Sequence, residues 1–303
     1  MPKTPMIATT DSDNENPLDT VAERLQAQAN TLTRAERQLS DLILDNYPVS
    51  ALGSITTVAQ AAGISTPTVA RLVQKLGFKG FPEFQAELRR ELEARISGPI
   101  AKHDTWIRKA PEGHILNRFA EAGIINIRQS FGQIEAETFD ASCEMLADKK
   151  RAVYVVGGRI TRTMADYFYL HMQVIRPRVT HIPTISNAWP HYLLDVEPGD
   201  VFVIFDVRRY EASTLKLAEM AHERGATIVL FTDQWRSPIY KLATRYFCSR
   251  IVVPSAWDSS VATMLLLETM IADVQERLWS DTRARMESLE EMFDRTRFFR
   301  KFT

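Results

Sequence analysis

The chain has 303 residues, about twice the usual length of a single domain, so two domains are the starting expectation. Hydrophobic residues make up 45% and charged residues 25%, enough apolar material for a large core, and a formal net charge of −1 excludes a polycation coated throughout for nucleic acid. Two cysteines, Cys143 and Cys248, exclude a disulfide scaffold and a four-cysteine zinc site.

Residues 1–17 are polar, acidic and proline-punctuated, the composition of a disordered tail. No run has the apolar length of a signal peptide or a membrane span, so a soluble cytoplasmic protein with no membrane partner is expected. Short helices follow. The stretch 33–46 opens with Thr33 and Glu36 at capping-box spacing, and its Leu39, Leu42 and Ile43 share one face. A helix over 55–62 stops at Gly63. Ser65 is placed to cap the next, which carries Pro67 in its first turn and ends at Gly77. A fourth helix runs from about Pro82 to Ile96. The stretch 97–114, with Gly98-Pro99 and Pro111, reads as a linker with a short helical turn around Trp106.

Helices over 115–131 and 136–148 then lead into a different grammar. Short β-rich runs at 152–156, 179–182, 201–205, 227–231 and 246–253 alternate with helical stretches at 162–175, 212–224 and 258–278. That alternation predicts a parallel sheet flanked by helices on both faces. Residues 281–303 read as a mixed-charge helical extension whose Phe293, Phe298, Phe299 and Phe302 seek a packing partner.

The two helices around Gly63 have helix-turn-helix grammar. Gly63 suits the sharp turn, Ile64 is its buried residue, and Val69, Leu72, Val73 and Leu76 form the inner stripe of the second helix. Thr66, Thr68, Arg71 and Lys75 are left for the exposed face, where threonines and an arginine can read base edges in a major groove while Lys75 meets a phosphate. Thr57, Ser65 and Lys79 complete the candidate DNA-binding set. From Val49 to Pro82 there is no acidic residue. A helical interaction module that does not touch DNA is the plainer alternative.

Leu32-Thr-Arg-Ala-Glu-Arg37, Ile55-Thr-Thr-Val-Ala-Gln-Ala-Ala-Gly-Ile-Ser65 and Val69-Ala-Arg-Leu-Val-Gln-Lys-Leu-Gly-Phe78, followed by Lys-Gly-Phe81, resemble the N-terminal domain of the RpiR/MurR family of bacterial transcriptional regulators. The resemblance spans roughly residues 22–278. It implies a two-domain chain: an all-α helix-turn-helix domain over 18–96, then an α/β SIS (sugar isomerase) domain over 115–280 with a central parallel sheet flanked by helices. It further implies a homo-dimer or higher homo-oligomer, a double-stranded DNA operator as partner, and a small-molecule effector, commonly a phosphorylated sugar.

Ligands of parallel sheets collect beyond the C-terminal strand ends. One such end carries Gly157, Gly158, Arg159, Thr161 and Arg162, and another carries Asp206, Arg208, Arg209 and Tyr210. Thr232-Asp233-Gln-Trp235 marks a third, and Ser259 lies in a hydroxyl-rich loop before the long helix. SIS domains usually carry Gly-x-Gly-x-Ser at the first of these places, where this chain has Gly157-Gly158-Arg159-Ile160-Thr161. At the second they usually carry Ser-x-Ser-Gly-x-Thr, where this chain has Asp206-Val207-Arg208-Arg209-Tyr210-Glu211. With those hydroxyls gone and four arginines gained, the expected effector is a small anionic metabolite, a carboxylate or a phosphorylated sugar with the carboxylate preferred, contacting Arg208 or Arg209 together with the amides after Gly157, with Thr161 and Ser259 donating. The plainer alternative is that the arginines pair with Asp206 or Glu211.

Glu211, His171, His181 and His191 are possible proton-transfer groups, but no spacing commits them to one site. The reading is therefore a non-catalytic DNA-binding regulator needing neither metal nor cofactor. Its rival is a sugar-phosphate isomerase-like enzyme with a helical appendage.

Overall fold

The computed structural model describes residues 20–109 and 113–297, so the tail expected at 1–17 and Phe298, Phe299 and Phe302 lie outside the described residues. The described chain divides into two units, one formed by residues 20–115 with Pro254–Asp258 and the other by Leu116–Val253 with residues 259–297.

The first unit is helical: α1 (Val21–Ala27), α2 (Arg34–Asp45), α3 (Ile55–Ala61), α4 (Thr66–Lys75), α5 (Phe81–Ile96) and α6 (Pro99–Lys109). Thr20/Glu23 and Thr33/Glu36 form complete capping boxes at the starts of α1 and α2. Leu25, Leu39, Ile43, Leu72, Phe84 and Leu88 make the buried centre. The helix α6 is longer than the short helical turn expected around Trp106. Gly98-Pro99 reads as a breaker, yet Pro99 occupies the first helical position, where its missing amide costs nothing.

The second unit contains α7 (Ile115–Gly132), α8 (Ala136–Ala147), β1 (Val153–Gly157), α9 (Arg162–Ile175), β2 (Val179–His181), α10 (Trp189–Leu193), β3 (Val201–Phe205), α11 (Ala212–Glu223), β4 (Thr227–Asp233), β5 (Arg245–Ser249), α12 (Val261–Arg277) and α13 (Trp279–Thr296). The strands form one parallel sheet in the order β2-β1-β3-β4-β5. Both faces are covered. Val155, Val203, Phe205 and Phe231 pack on one side with Phe168, Leu267 and Met270, while Val156, Phe202, Ile204 and Leu230 pack on the other with Trp189, Leu217 and Ala221. The winding reverses between β1 and β3, whose ends are in register at Gly157 and Phe205. In parallel sheets such a reversal is the place where a crevice at the strand ends receives ligands.

Two attachments were not foreseen. Arg176 is fully buried and donates to the carbonyls of Leu146, Arg151 and Pro177, tying the ends of α8, β1 and α9 together. The helix α13 docks onto the end of α9, where Arg285 donates to Val174 O at 2.9 Å and Gln173 O at 2.7 Å. These are orphan carbonyls of a helix C-terminus, which a cation satisfies well.

Candidate functional site

The helices α3 and α4 are joined by a tight turn. Gly63 has φ +64°, a left-handed conformation that a side chain resists, and Gly63 N–H and Ile64 N–H bond back to the carbonyls of Gln60 and Ala59. The same two-bond closure recurs at Gly77 and Phe78, which bond to Gln74 and Val73. Val69, Leu72, Val73 and Leu76 are buried as the periodicity predicts. Ile64 is half-buried rather than buried.

The outward face differs from its prediction in three places. Ser65 stands at the N-cap position, but its hydroxyl meets Thr68 Oγ1 at 2.9 Å and accepts no backbone amide. Thr68 is consequently buried instead of exposed. Lys75 turns back to α2, donating to Thr31 O at 2.7 Å and pairing with Glu36 at 3.3 Å, so its charge is engaged within the unit. The Thr33 amide hydrogen bond, with Lys75 contributing, holds the Glu36 carboxyl below its ordinary range. Arg71 is exposed, with Nη2 3.3 Å from Thr68 Oγ1. Pro67, Gln74 and Lys79 are exposed and Thr66 is half-buried. Thr57 is exposed at the start of α3, its hydroxyl 2.8 Å from that of Ser54.

In the second unit the crevice lies between the loops after β1 and β3. Gly157 admits no side chain, since a Cβ there would stand 2.6 Å from the Thr161 carbonyl and 2.7 Å from Arg162 N. Thr161 is buried. Its hydroxyl accepts from Gly158 N–H at 2.7 Å and donates to Phe205 O at 2.8 Å, stitching the two loops rather than facing outward. Arg162 is exposed and pairs with Asp166 at 3.5 Å, and Arg159 is exposed while its backbone N–H donates to Glu211 Oε1 at 2.7 Å.

Asp206 is buried, accepting from the Ser237 hydroxyl and from Glu211 N–H, so its partners are not the arginines. Burial pushes its carboxyl up to about 7, against the opposing pull of Ser237. Asp233, at the end of β4, accepts from Arg208 N–H at 2.8 Å, Tyr210 OH at 2.7 Å and Trp235 N–H at 2.9 Å. Burial raises its carboxyl too, with those hydrogen bonds opposing. The Arg208 guanidinium lies over the Trp235 ring at 4.4 Å, while Arg209 is exposed. Ser259 is buried, its Oγ accepting from Val261 N–H at 3.3 Å at the start of α12.

The structure thus gathers Gly157, Gly158, Arg159, Thr161, Asp206, Arg208 and Tyr210 around one crevice, but commits most of their polar groups to one another. Glu211, Asp233, Trp235 and Ser237 carry that network. The possible proton-transfer groups have separate partners: His181 meets Asp166 at 3.3 Å, His171 packs edge-on to Tyr167, and His191 is exposed.

The helix-turn-helix domain model of the rpiR family matches residues 19–95, and the SIS domain model matches residues 145–272. The HTH-type transcriptional regulator HexR of Pseudomonas aeruginosa is 22% identical over 289 residues, spanning 91% of this chain and 96% of that protein. The bifunctional protein glk of Paraburkholderia xenovorans is 25% identical over 228 residues, covering 74% of this chain but 34% of that protein. Among solved structures, the sugar isomerase domain of an RpiR transcription factor from Sphaerobacter thermophilus superposes with a TM-score of 0.55 at 20% identity, covering 59% of this chain and 99% of that one. The Vibrio vulnificus NanR protein complexed with ManNAc-6P superposes with a TM-score of 0.52 at 17% identity over 91% of this chain and 98% of that one. A helix-turn-helix unit and a parallel-sheet SIS unit in this order, each matched by its own model, make the chain a member of the RpiR family of transcriptional regulators.

Proposed function

We propose that the protein is a DNA-binding transcriptional regulator whose SIS unit senses a small anionic metabolite and modulates operator occupancy. The observation that carries this is the outer face of α4. Its inner face is consumed by the core, while Thr66, Pro67, Arg71 and Gln74 lie at the surface in a stretch from Val49 to Pro82 that holds no acid. A helix so presented offers an arginine for guanine and a threonine for adjacent bases, the requirements of major-groove reading. Lys79 and Thr57 are read as backbone contacts; Ser65 and Lys75 support the helix.

The regulator acts in the cytoplasm as a homo-dimer or higher homo-oligomer, giving two reading heads for a two-fold site. Exposed Phe119 on α7 and Val261 and Leu265 on α12 support an apolar self-contact. No described helix is long and apolar enough to cross a membrane. The Vibrio vulnificus NanR protein, similar in fold, is complexed with ManNAc-6P, which supports an effector role for the crevice here. A non-catalytic reading is preferred because the crevice carboxylates and hydroxyls serve one another. Effector binding must favour one arrangement of the reading heads in order to alter occupancy.

The test is a salt-controlled mobility-shift screen of duplexes tiling the gene's own neighbourhood. Tight binding to one duplex, weakening steeply as salt rises, is expected. Equal affinity for every duplex overturns operator recognition. Sustained turnover of a sugar phosphate by the purified chain would favour the isomerase instead.

A further inference from the structure

We propose that the carboxylate of Glu211 is a built-in ligand of the loop after β1, and that the effector is a small molecule whose own oxyanion must displace it. This rests on the reading of the SIS unit as a sensor and specifies what that sensor selects.

Three features carry it. The Glu211 carboxylate accepts the Arg159 backbone N–H at 2.7 Å, a charge-assisted bond reaching across 52 residues of sequence. It also lies directly on Gly158: a Cβ there would stand 2.5 Å from Oε1 and 2.8 Å from Cδ. The space left by a bare glycine, which in such loops lets an anion approach the backbone, is filled by the chain's own anion. Thirdly, Glu211 occupies the N-cap position of α11 but makes no side-chain cap bond there. Its own N–H is received by Asp206 at 3.4 Å, leaving the side chain directed away from its own helix to the neighbouring loop.

The placement matters because β1 and β3 are the strands between which the sheet reverses its winding, so the contact bridges the two walls of the crevice. Other anion donors nearby are already committed inward, Thr161 to Phe205 O and the Arg208 N–H to Asp233. The Arg159 amide is therefore the donor that an exchange of one oxyanion for another can release, with exposed Arg209 two residues before Glu211 adding long-range attraction. A neutral ligand offers nothing to the amide that Glu211 vacates. Affinity for an anion is lowered by the fraction of molecules in which Glu211 is seated, and removing the residue removes that competition.

The experiment titrates the full-length protein, Glu211→Ala and Glu211→Gln with inorganic phosphate and, separately, with acetate, by calorimetry at constant ionic strength, after thermal melts establish that each is folded. Glu211→Ala is expected to bind at least one of the two anions about tenfold more tightly than wild type, and Glu211→Gln, which keeps an acceptor but loses the charge, about threefold more tightly. The arm showing the larger gain identifies phosphate or carboxylate as the effector group. Unchanged affinity for both anions in Glu211→Ala overturns the proposal, and if that variant fails to fold, unchanged affinity in Glu211→Gln does so. The sensor reading fails separately, as an operator occupancy that stays fixed in both wild type and variant when anions bound by the variant are added.

Discussion

Lys75 on α4 and Glu36 on α2 form an ion pair at 3.3 Å, and the same Glu36 carboxylate closes the capping box of Thr33. One carboxylate thus anchors the start of α2 and the last turn of α4. That engagement makes Lys75 a brace for α4, and little groove contact is expected of it.

Alanine substitutions on α4 should separate those roles. Arg71→Ala is expected to cost about 1–3 kcal/mol of discrimination between operator and unrelated duplex. Lys75→Ala should lower thermal stability by about 0.5–1 kcal/mol, the range for a partly exposed pair. It should leave the dependence of affinity on salt unchanged, whereas Lys79→Ala should reduce that slope by about 1. Mobility shifts at several salt concentrations, beside thermal melts, check all three.

The buried Asp206 sets a pH signature. Its carboxyl titrates near 7 in the folded chain against an ordinary value of 3.8, so the folded state holds the proton more tightly. Its stabilising contribution is full below pH 3.8 and is lost as pH rises through 7. Asp206→Asn, which retains partners for Ser237 and the Glu211 N–H, should raise the melting temperature at pH 8 and have little effect near pH 4. Equal shifts at both values would contradict the assignment.

Two glycines should respond oppositely to a methyl group. Gly157→Ala drives a Cβ into the backbone of Thr161 and Arg162 and should destabilise by about 1–3 kcal/mol. In α7, Gly123→Ala brings its Cβ 3.6 Å from Val261 Cγ1, an ordinary contact, and should stabilise by about 0.5–1 kcal/mol through helix propensity. Urea unfolding of each variant decides.

Arg176→Met keeps an unbranched apolar stem but strips donors from the carbonyls of Leu146, Arg151 and Pro177. A loss of about 3 kcal/mol or more is expected. Arg176→Lys should recover only part of it, since one ammonium cannot reproduce the planar fork. Chemical denaturation of both variants measures the difference.

Local grammar carried much of this molecule. The Thr33/Glu36 box, the stops at Gly63 and Gly77, and the β-rich runs at 152–156 and 201–205 are governed by a few neighbouring residues, and all are found within one residue of where the sequence places them. What escaped depends on side chains that meet far apart in sequence: Lys75 on Glu36, Glu211 on the Arg159 amide, Arg285 on the end of α9. Thr68 departs from the helical periodicity for a smaller cause, a hydroxyl pair with Ser65 that periodicity does not contain. One signal for Glu211 was present: a long acid at a strand end, facing a neighbouring strand end that begins with paired glycines.

The way α4 is fastened also bears on how its specificity can be rewritten. Val69, Leu72 and Val73 fix it from beneath, Thr68 and Ser65 hold its first turn, and Arg24 seals its far end by donating to Leu76 O at 2.9 Å. Thr66, Pro67, Arg71 and Gln74 bear little of that fastening. On the proposed reading of α4 they form a cassette: exchanging them for the outer residues of another regulator's reading helix is expected to retarget the protein to a foreign operator, with the core beneath left native.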